Sequence, residues 1–96
     1  QSNYQKVYRD FAFVVDSNVD GNDIVMSTLK VDQNLIKSAD IFDIFTDPSL
    51  GKDKKSLAIK VTMQAQDRTL SENDIQDLCS KIISTIEKET SGTVRS

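Results

Sequence analysis

The sequence has no histidine and a single cysteine, Cys79. A lone cysteine cannot form a disulfide within the chain, and without histidine it lacks the usual base partner and the usual metal co-ligand. A glycine-rich phosphate loop before a helix is also absent. Asp40 and Asp43 supply two carboxylates, but no acid, base and oxyanion site can be assembled around them. These absences argue against a metal site, thiol catalysis and a stand-alone small hydrolase.

Long apolar runs and an excess of basic residues are absent as well. No run approaches the ~20 residues that a membrane helix needs, so no contact with a membrane is expected. The formal net charge is −3, from 15 acidic and 12 basic residues. Any binding of nucleic acid must therefore depend on where the cations lie. The 96 residues predict one domain over 1–96, and the start at Gln1 rather than methionine predicts a piece of a longer chain.

The residues that are present predict the order strand, helix, strand, strand, helix, strand. Apolar and polar residues alternate through 54–65, which predicts a central strand with one buried face. A strand over 41–46 precedes it, and the connection contains Pro48 and Gly51, which is typical of a long hairpin. A first strand is predicted over 8–16, with its large apolar side chains directed toward the core.

Two amphipathic helices are predicted between these strands. The first follows the capping oxygens of Asp20 and runs to about residue 31. The second begins with an approximate capping box, Ser71 with Asp74, and ends at Ser91-Gly92 before a short last strand. Its apolar stripe consists of Ile75, Leu78, Cys79, Ile82, Ile83 and Ile86. Cys79 lies within this stripe, which favours a small core residue over a reactive thiol.

Together these elements predict an α+β fold, a ferredoxin-like βαββαβ two-layer sandwich with both helices on one face of an antiparallel sheet. The other face of the sheet is then open. By alternation it should carry Asp10, Ala12, Val14, Ile41, Asp43, Phe45, Ser56, Ala58, Lys60, Thr62 and Gln64.

An accessible aromatic ring on a sheet can stack an unpaired base, and nearby lysines can neutralise phosphates. The pattern alone favours a simpler interpretation, an ordinary solvated face with Phe45 covered by a loop or a neighbouring domain. The RNA-recognition-motif family shares the element order, but its aromatic-rich third-strand signature is absent from 54–62.

Five short pieces of sequence occur in a characteristic order and spacing: RDFAFVV at 9–15, IFDIF at 41–45, KKSLA at 54–58, RTLS at 68–71 and a closing Arg95. As a set they resemble the ferredoxin-fold anticodon-binding domain at the C-terminus of the phenylalanine–tRNA ligase β subunit. The resemblance covers nearly the whole chain.

Four positions depart from the pattern of that family, which usually has proline where Gln5 stands, tyrosine where Phe45 stands, and glycine where Asp47 and Asp53 stand. Phe45 keeps a stacking ring without the hydroxyl. Aspartate tolerates a left-handed backbone better than most residues, so the hairpin is expected to survive both glycine losses.

The resemblance implies that the parent is a class II aminoacyl-tRNA synthetase, a cytoplasmic enzyme of two α and two β subunits that joins phenylalanine to its tRNA with ATP and Mg²⁺. The catalytic centre would lie in the α subunit. This domain would then hold no cofactor, perform no catalysis itself, and bind the anticodon stem-loop of tRNA(Phe) beside the remainder of the β subunit and the α subunit. A monomeric organellar enzyme of the same specificity is an alternative parent.

Carried onto this chain, the resemblance implies Phe45 as the stacking ring and lysines on phosphates, with further polar contacts or loop anchors. The expected RNA-binding residues are Phe45, Lys54, Lys55, Lys60, Ser56, Asp43 and Arg68. The alternative from another class is a non-catalytic protein-interaction or small-ligand module whose open sheet face docks a partner. Phosphate contacts predict affinity that falls steeply with salt, whereas an apolar docking face predicts little change.

Overall fold

The computed structural model describes residues 4–95, and within them the elements follow the predicted order. They are β1 (Val7–Asp16), α1 (Gly21–Val31), β2 (Ile36–Phe45), a 3₁₀ turn (Pro48–Leu50), β3 (Lys54–Met63), α2 (Glu72–Thr90) and β4 (Thr93–Arg95). The sheet is antiparallel, with strand order β2-β3-β1-β4. This confirms the ferredoxin-like α+β fold and places β3 and β1 at the centre.

One face of the sheet packs on the two helices and forms the hydrophobic core. Side chains that alternate along β1 and β3 are buried against α1 and α2, as the period-2 pattern predicted. The fully buried members include Phe13, Val15, Ile24, Leu57, Ile59, Val61, Met63, Ile82 and Ile86. Cys79 is half-buried beside this core, and burial raises the pKa of its thiol, which is consistent with a packing role.

Helix α2 has both of the predicted end structures. The Ser71 hydroxyl accepts a hydrogen bond from the Asp74 backbone N–H at 3.0 Å, and the Asp74 carboxylate accepts one from the Ser71 N–H at 3.1 Å. These bonds satisfy donors that have no partner within the helix and hold the pKa of Asp74 below its usual value. At the other end Ser91 adopts a left-handed conformation with φ of 58°, which turns the chain into β4.

Strand β2 differs from its prediction in two ways. It begins at Ile36 rather than at Ile41, because Ile36 and residues 38–40 pair with β3 although they lack a clear apolar alternation. A bulge between Ile41 and Asp43 also shifts the alternation by one residue. Ile41 therefore lies opposite the buried Ile59, and its prediction on the open face is wrong. Asp43 and Phe45 remain on that face.

The hairpin between β2 and β3 uses its aspartates in different ways. Asp53 has φ of 57°, the left-handed conformation that aspartate was expected to tolerate. Asp47 has φ of −158° and needs no such tolerance. Its carboxylate instead accepts the Ser49 N–H at 2.8 Å and caps the 3₁₀ turn. Gly51, with φ of 110°, ends that turn.

Within residues 4–95, neither helix combines the length and the apolar content that crossing a bilayer demands.

Candidate nucleic-acid interface

The open face of the sheet is lined with small and polar side chains, because each strand places every second residue there. On β3 these are Ser56, Ala58, Lys60 and Thr62, which the register sets beside Val14, Ala12, Asp10 and Tyr8 of β1. On β2, Asp43 lies opposite Ala58 and Phe45 lies opposite Ser56. Neither helix covers this side, since both pack on the other face.

A three-residue cluster lies across one end of this face. Arg95 ends β4 and pairs with Ala12 of β1, while Phe45 belongs to β2 at the far edge of the sheet. The Arg95 guanidinium donates a hydrogen bond to the Ser56 hydroxyl at 3.1 Å, and its central carbon lies 5.3 Å from the centroid of the Phe45 ring. Ser56 is only 2% exposed. Arg95 and Phe45 therefore reach toward each other over the two inner strands and cover Ser56 between them.

The contact between Arg95 and Phe45 has the geometry of a cation–π interaction. It holds the ring in place while leaving part of it accessible, since Phe45 is 39% exposed. The loop after β2 also contributes a negative charge that interacts with Arg95, that of the Asp47 carboxylate. Hydrogen bonds from Ser49 hold the pKa of Asp47 below its usual value, and the positive charge of Arg95 lowers it further. An oriented aromatic ring, a cation and a carboxylate are thus grouped at this end of the sheet.

The predicted lysines lie in three different environments. Lys54 forms an ion pair with Asp16 at 2.5 Å. Lys55 donates to the Val19 carbonyl at 2.5 Å and ties β3 to the loop before α1. Lys60 lies on the open face, where the register sets it between Asp10 of β1 and Asp40 of β2. Lys54 and Lys60 both share the strand phase of Ser56 and so belong to the open face. The charge of Lys54 is paired with Asp16, whereas Lys60 forms no ion pair among residues 4–95 and has two carboxylates beside it in the register.

The structure brings three of the seven predicted site residues together and places Arg68 far from them. Phe45, Ser56 and Asp43 share one end of the open face. Arg68 follows the opposite end of β3, where its guanidinium contacts Asp67 at 3.0 Å and Asp74 at 3.6 Å. Met63 lies seven positions along the strand from Ser56, roughly 23 Å at the usual rise per residue. Arg68 therefore acts at the start of α2 and lies far from Phe45.

Two residues on this face were missing from the predicted set. Arg95 enters the sequence analysis only as the last position of the family pattern. A basic side chain on a last strand next to small residues is nevertheless able to reach across a sheet. Tyr8 is 54% exposed and lies opposite Thr62. It is in phase with Asp10, Ala12 and Val14, so alternation alone would have added it as a second open-face aromatic.

No group of three or more Cys, Asp or Glu side chains among residues 4–95 is arranged to hold a metal ion. The carboxylates of the open face are spread over two strands, with Lys60 between two of them. The exposed ring, the guanidinium and the scattered charges are suited to stacking and hydrogen bonding with a ligand.

The structure defines a small α+β domain in which both helices cover one face of the sheet and leave the other face open. Residues 2–95 match the family described as Ferredoxin-fold anticodon binding domain, and the chain belongs to that family. It is also similar to curated proteins named phenylalanine–tRNA ligase beta subunit. The one from Brucella abortus (strain 2308) is 43% identical over 92 residues, 96% of this chain. The one from Bartonella quintana (strain Toulouse) is 46% identical over 94 residues, 98% of this chain.

These relatives are much longer than the chain. The matched region makes up 11% of the Brucella abortus protein and 12% of the Bartonella quintana protein. A third relative, from Mesorhizobium japonicum (strain LMG 29417 / CECT 9101 / MAFF 303099), is 43% identical over 94 residues and 12% of its length is covered. The similarity therefore concerns one small part of each relative.

Proposed function

We propose that this domain binds the anticodon stem-loop of tRNA(Phe) and serves as the anticodon-binding part of a phenylalanine–tRNA ligase β subunit. The observation that carries the proposal is the Phe45 ring, partly exposed and held by Arg95 on an open sheet face. An unpaired base can stack on such a ring for ~1–3 kcal/mol. Membership of the anticodon-binding family and the names of the relatives support the same function.

In this proposal each open-face residue has a distinct role. Phe45 stacks on a base of the loop, and Arg95 orients that ring while offering its free N–H groups to the base or to a phosphate. Asp43 is a polar contact at the base edge, and Lys60 neutralises a phosphate. Ser56, which is covered by Arg95 and Phe45, anchors the Arg95 guanidinium through its hydroxyl. Lys54, Lys55 and Arg68 act as loop anchors, because their charged groups contact Asp16, the Val19 carbonyl and two aspartates respectively.

The chemistry of the proposed parent enzyme takes place elsewhere. ATP and Mg²⁺ would be used in an α subunit, and the domain would contribute recognition of tRNA within an α2β2 enzyme in the cytoplasm. Since few cations lie on the open face and the net charge is −3, backbone attraction alone would be weak. Stacking and edge contacts would then supply much of the selectivity.

The test is a titration of the chain with a labelled anticodon stem-loop of tRNA(Phe), beside a stem-loop with a scrambled anticodon, at low and at moderate salt. Binding that prefers the native loop and weakens with salt supports the proposal. Phe45→Ala should abolish the preference, whereas Phe42→Ala is a matched control. Phe42 is 56% exposed on the same strand but lies at the bulge, and the ring that Arg95 contacts is that of Phe45.

Two outcomes would contradict the proposal. If neither stem-loop binds, or if Phe45→Ala keeps the preference for the native loop, the open face does not read the anticodon. Binding of a protein or small ligand with little salt dependence would instead favour the interaction-module alternative.

A further inference from the structure

Arg95 is the last residue of strand β4, and this strand is very short. It consists of three residues, Thr93–Arg95, which pair with Ala12–Val14 of β1. A strand of this length at the edge of a sheet has few backbone bonds to hold it. The position of the Arg95 guanidinium over Phe45 therefore depends on whatever else fixes β4.

A glutamate of α2 supplies that fixation. The Glu87 carboxylate accepts a hydrogen bond from the Val94 backbone N–H at 2.9 Å, directly before Arg95. A charged acceptor makes a stronger bond than a neutral one. Because this N–H is paired with Glu87, it is not available to a further strand at the edge of the sheet.

The turn between α2 and β4 is fixed at two further points. The Gly92 N–H donates to the Thr90 hydroxyl at 3.1 Å. Gly92 is also packed so closely on β1 that a Cβ atom there would lie 2.6 Å from the Val14 carbonyl oxygen. Ser91, in its left-handed conformation, makes the reversal between these contacts. The turn leaves β4 little freedom, and Glu87 fixes the residue next to Arg95.

We infer that Glu87 is a positioning residue for Arg95: through the Val94 N–H it orients β4 so that the guanidinium lies on Phe45 and Ser56. Glu87 belongs to the helical layer, on the side of the sheet opposite the open face, so it does not touch a ligand bound there. The inference rests on the proposed function for its effect on RNA, but the placement of Arg95 is measurable without RNA.

The first measurement is an NMR comparison of the Arg95 side chain in the unmodified chain and in variants. Protons held over an aromatic ring are shifted upfield, and Phe45→Leu gives the unshifted reference. Glu87→Ala should move the Arg95 resonances to that reference, and Glu87→Gln should restore them, since its amide oxygen still accepts the Val94 N–H. Glu89→Ala is the matched control, because Glu89 lies on the same helix but contacts Ser27 of α1.

The second measurement is the affinity for the native and scrambled anticodon stem-loops. Glu87→Ala should weaken binding of the native loop about five-fold, the upper range for an exposed cation–π contact. In an Arg95→Ala background the same change should have no further effect, because the two residues act through one contact. Glu87→Gln and Glu89→Ala should bind as the unmodified chain does.

Upfield Arg95 resonances that persist in Glu87→Ala would overturn the inference, as would additive losses in the double variant. If Glu87→Ala does not fold, Glu87→Asp, which is shorter by one methylene, takes its place with the same expectations. If the unmodified chain shows no preference between the loops, the anticodon proposal fails, and the NMR comparison still decides whether Glu87 positions Arg95.

Discussion

The two faces of the sheet are built from the same strands, but one is packed on the helices and the other is open. On β3, Leu57, Ile59 and Val61 are fully buried under the helices. The residues between them, Ala58 and Lys60, line the open face. One strand thus supplies both a core and a candidate binding surface. Alternation along each strand therefore determines which side chains face outward, whereas the contacts among those side chains depend on which strands are neighbours in the sheet.

The helix face depends on close packing, whereas the open face depends on one long side chain. Interior side chains fill their space at near-crystalline density, so loss of a few carbon atoms is costly. On the open face Arg95 lies over Ser56 and against Phe45, and part of the ring stays in contact with solvent. Substitutions on the helix face should therefore change stability, and substitutions on the open face should change binding.

The largest effect should come from truncating a core phenylalanine. Phe13→Ala removes a fully buried ring and should lower the free energy of unfolding by ~3–5 kcal/mol. Phe45→Ala removes the same atoms from the open face and should cost less than ~1 kcal/mol. Urea unfolding followed by circular dichroism measures both. Equal losses for the two variants would mean that the faces do not differ in this way.

A second, smaller loss of stability should follow from a substitution in the turn between α2 and β4. Gly92→Ala would place Cβ 2.6 Å from the Val14 carbonyl oxygen, and relieving that overlap should cost ~1–3 kcal/mol. Gly21→Ala is the matched control, since its Cβ would meet only the side-chain ends of Ile41 and Leu57. A thermal melt that ranks Gly21→Ala as the more damaging change would contradict this account of the turn.

The helix face should also show an acid-dependent contribution from the α2 cap. Ser71→Ala removes the side-chain acceptor for the Asp74 N–H and should cost ~1 kcal/mol near neutral pH. The pKa of Asp74 is lowered in the folded state, first by its hydrogen bonds with Ser71. Its contribution is therefore present above the ordinary carboxyl pKa of 3.8 and is lost as the pH falls through the lowered value.

Unfolding curves recorded from neutral pH down to about pH 2 test this sign. The difference between the unmodified chain and Asp74→Asn should shrink toward the acid end, because the protonated carboxyl no longer differs in charge from the amide. Asp77→Asn, on an exposed part of the same helix, is the control. A difference that grows in acid would contradict the lowered pKa.

Most of the fold could be predicted from the sequence because its signals are local. The alternation in β3, the stripe of α2 and the capping box at Ser71 each involve residues within a few positions of one another. The start of β2 at Ile36 could not, because residues 38–40 are held in the sheet by pairing with β3 rather than by their own preferences.

The candidate site was predictable only in part for a related reason. Asp43, Phe45 and Ser56 follow from alternation once the strands are known. The bulge at Phe42 moves Ile41 to the helix face. It depends on how two strands pair, and no pattern in the sequence of either strand indicates it. The contact of Arg95 with Phe45 joins residues on opposite edges of the sheet, so it becomes visible only when the strand order is known.

The smallest effect should come from Lys60 on the open face. Lys60 lies between Asp10 and Asp40 in the register but forms no ion pair with either, so its loss should leave stability within ~0.5 kcal/mol. If Lys60 neutralises one phosphate of a bound loop, Lys60→Met should reduce the slope of log affinity against log salt by about 0.7. Lys81→Met, on an exposed part of α2, should leave the slope unchanged. Titrations at three salt concentrations measure both slopes, and identical slopes would remove Lys60 from the binding surface while leaving the stacking role of Phe45 intact.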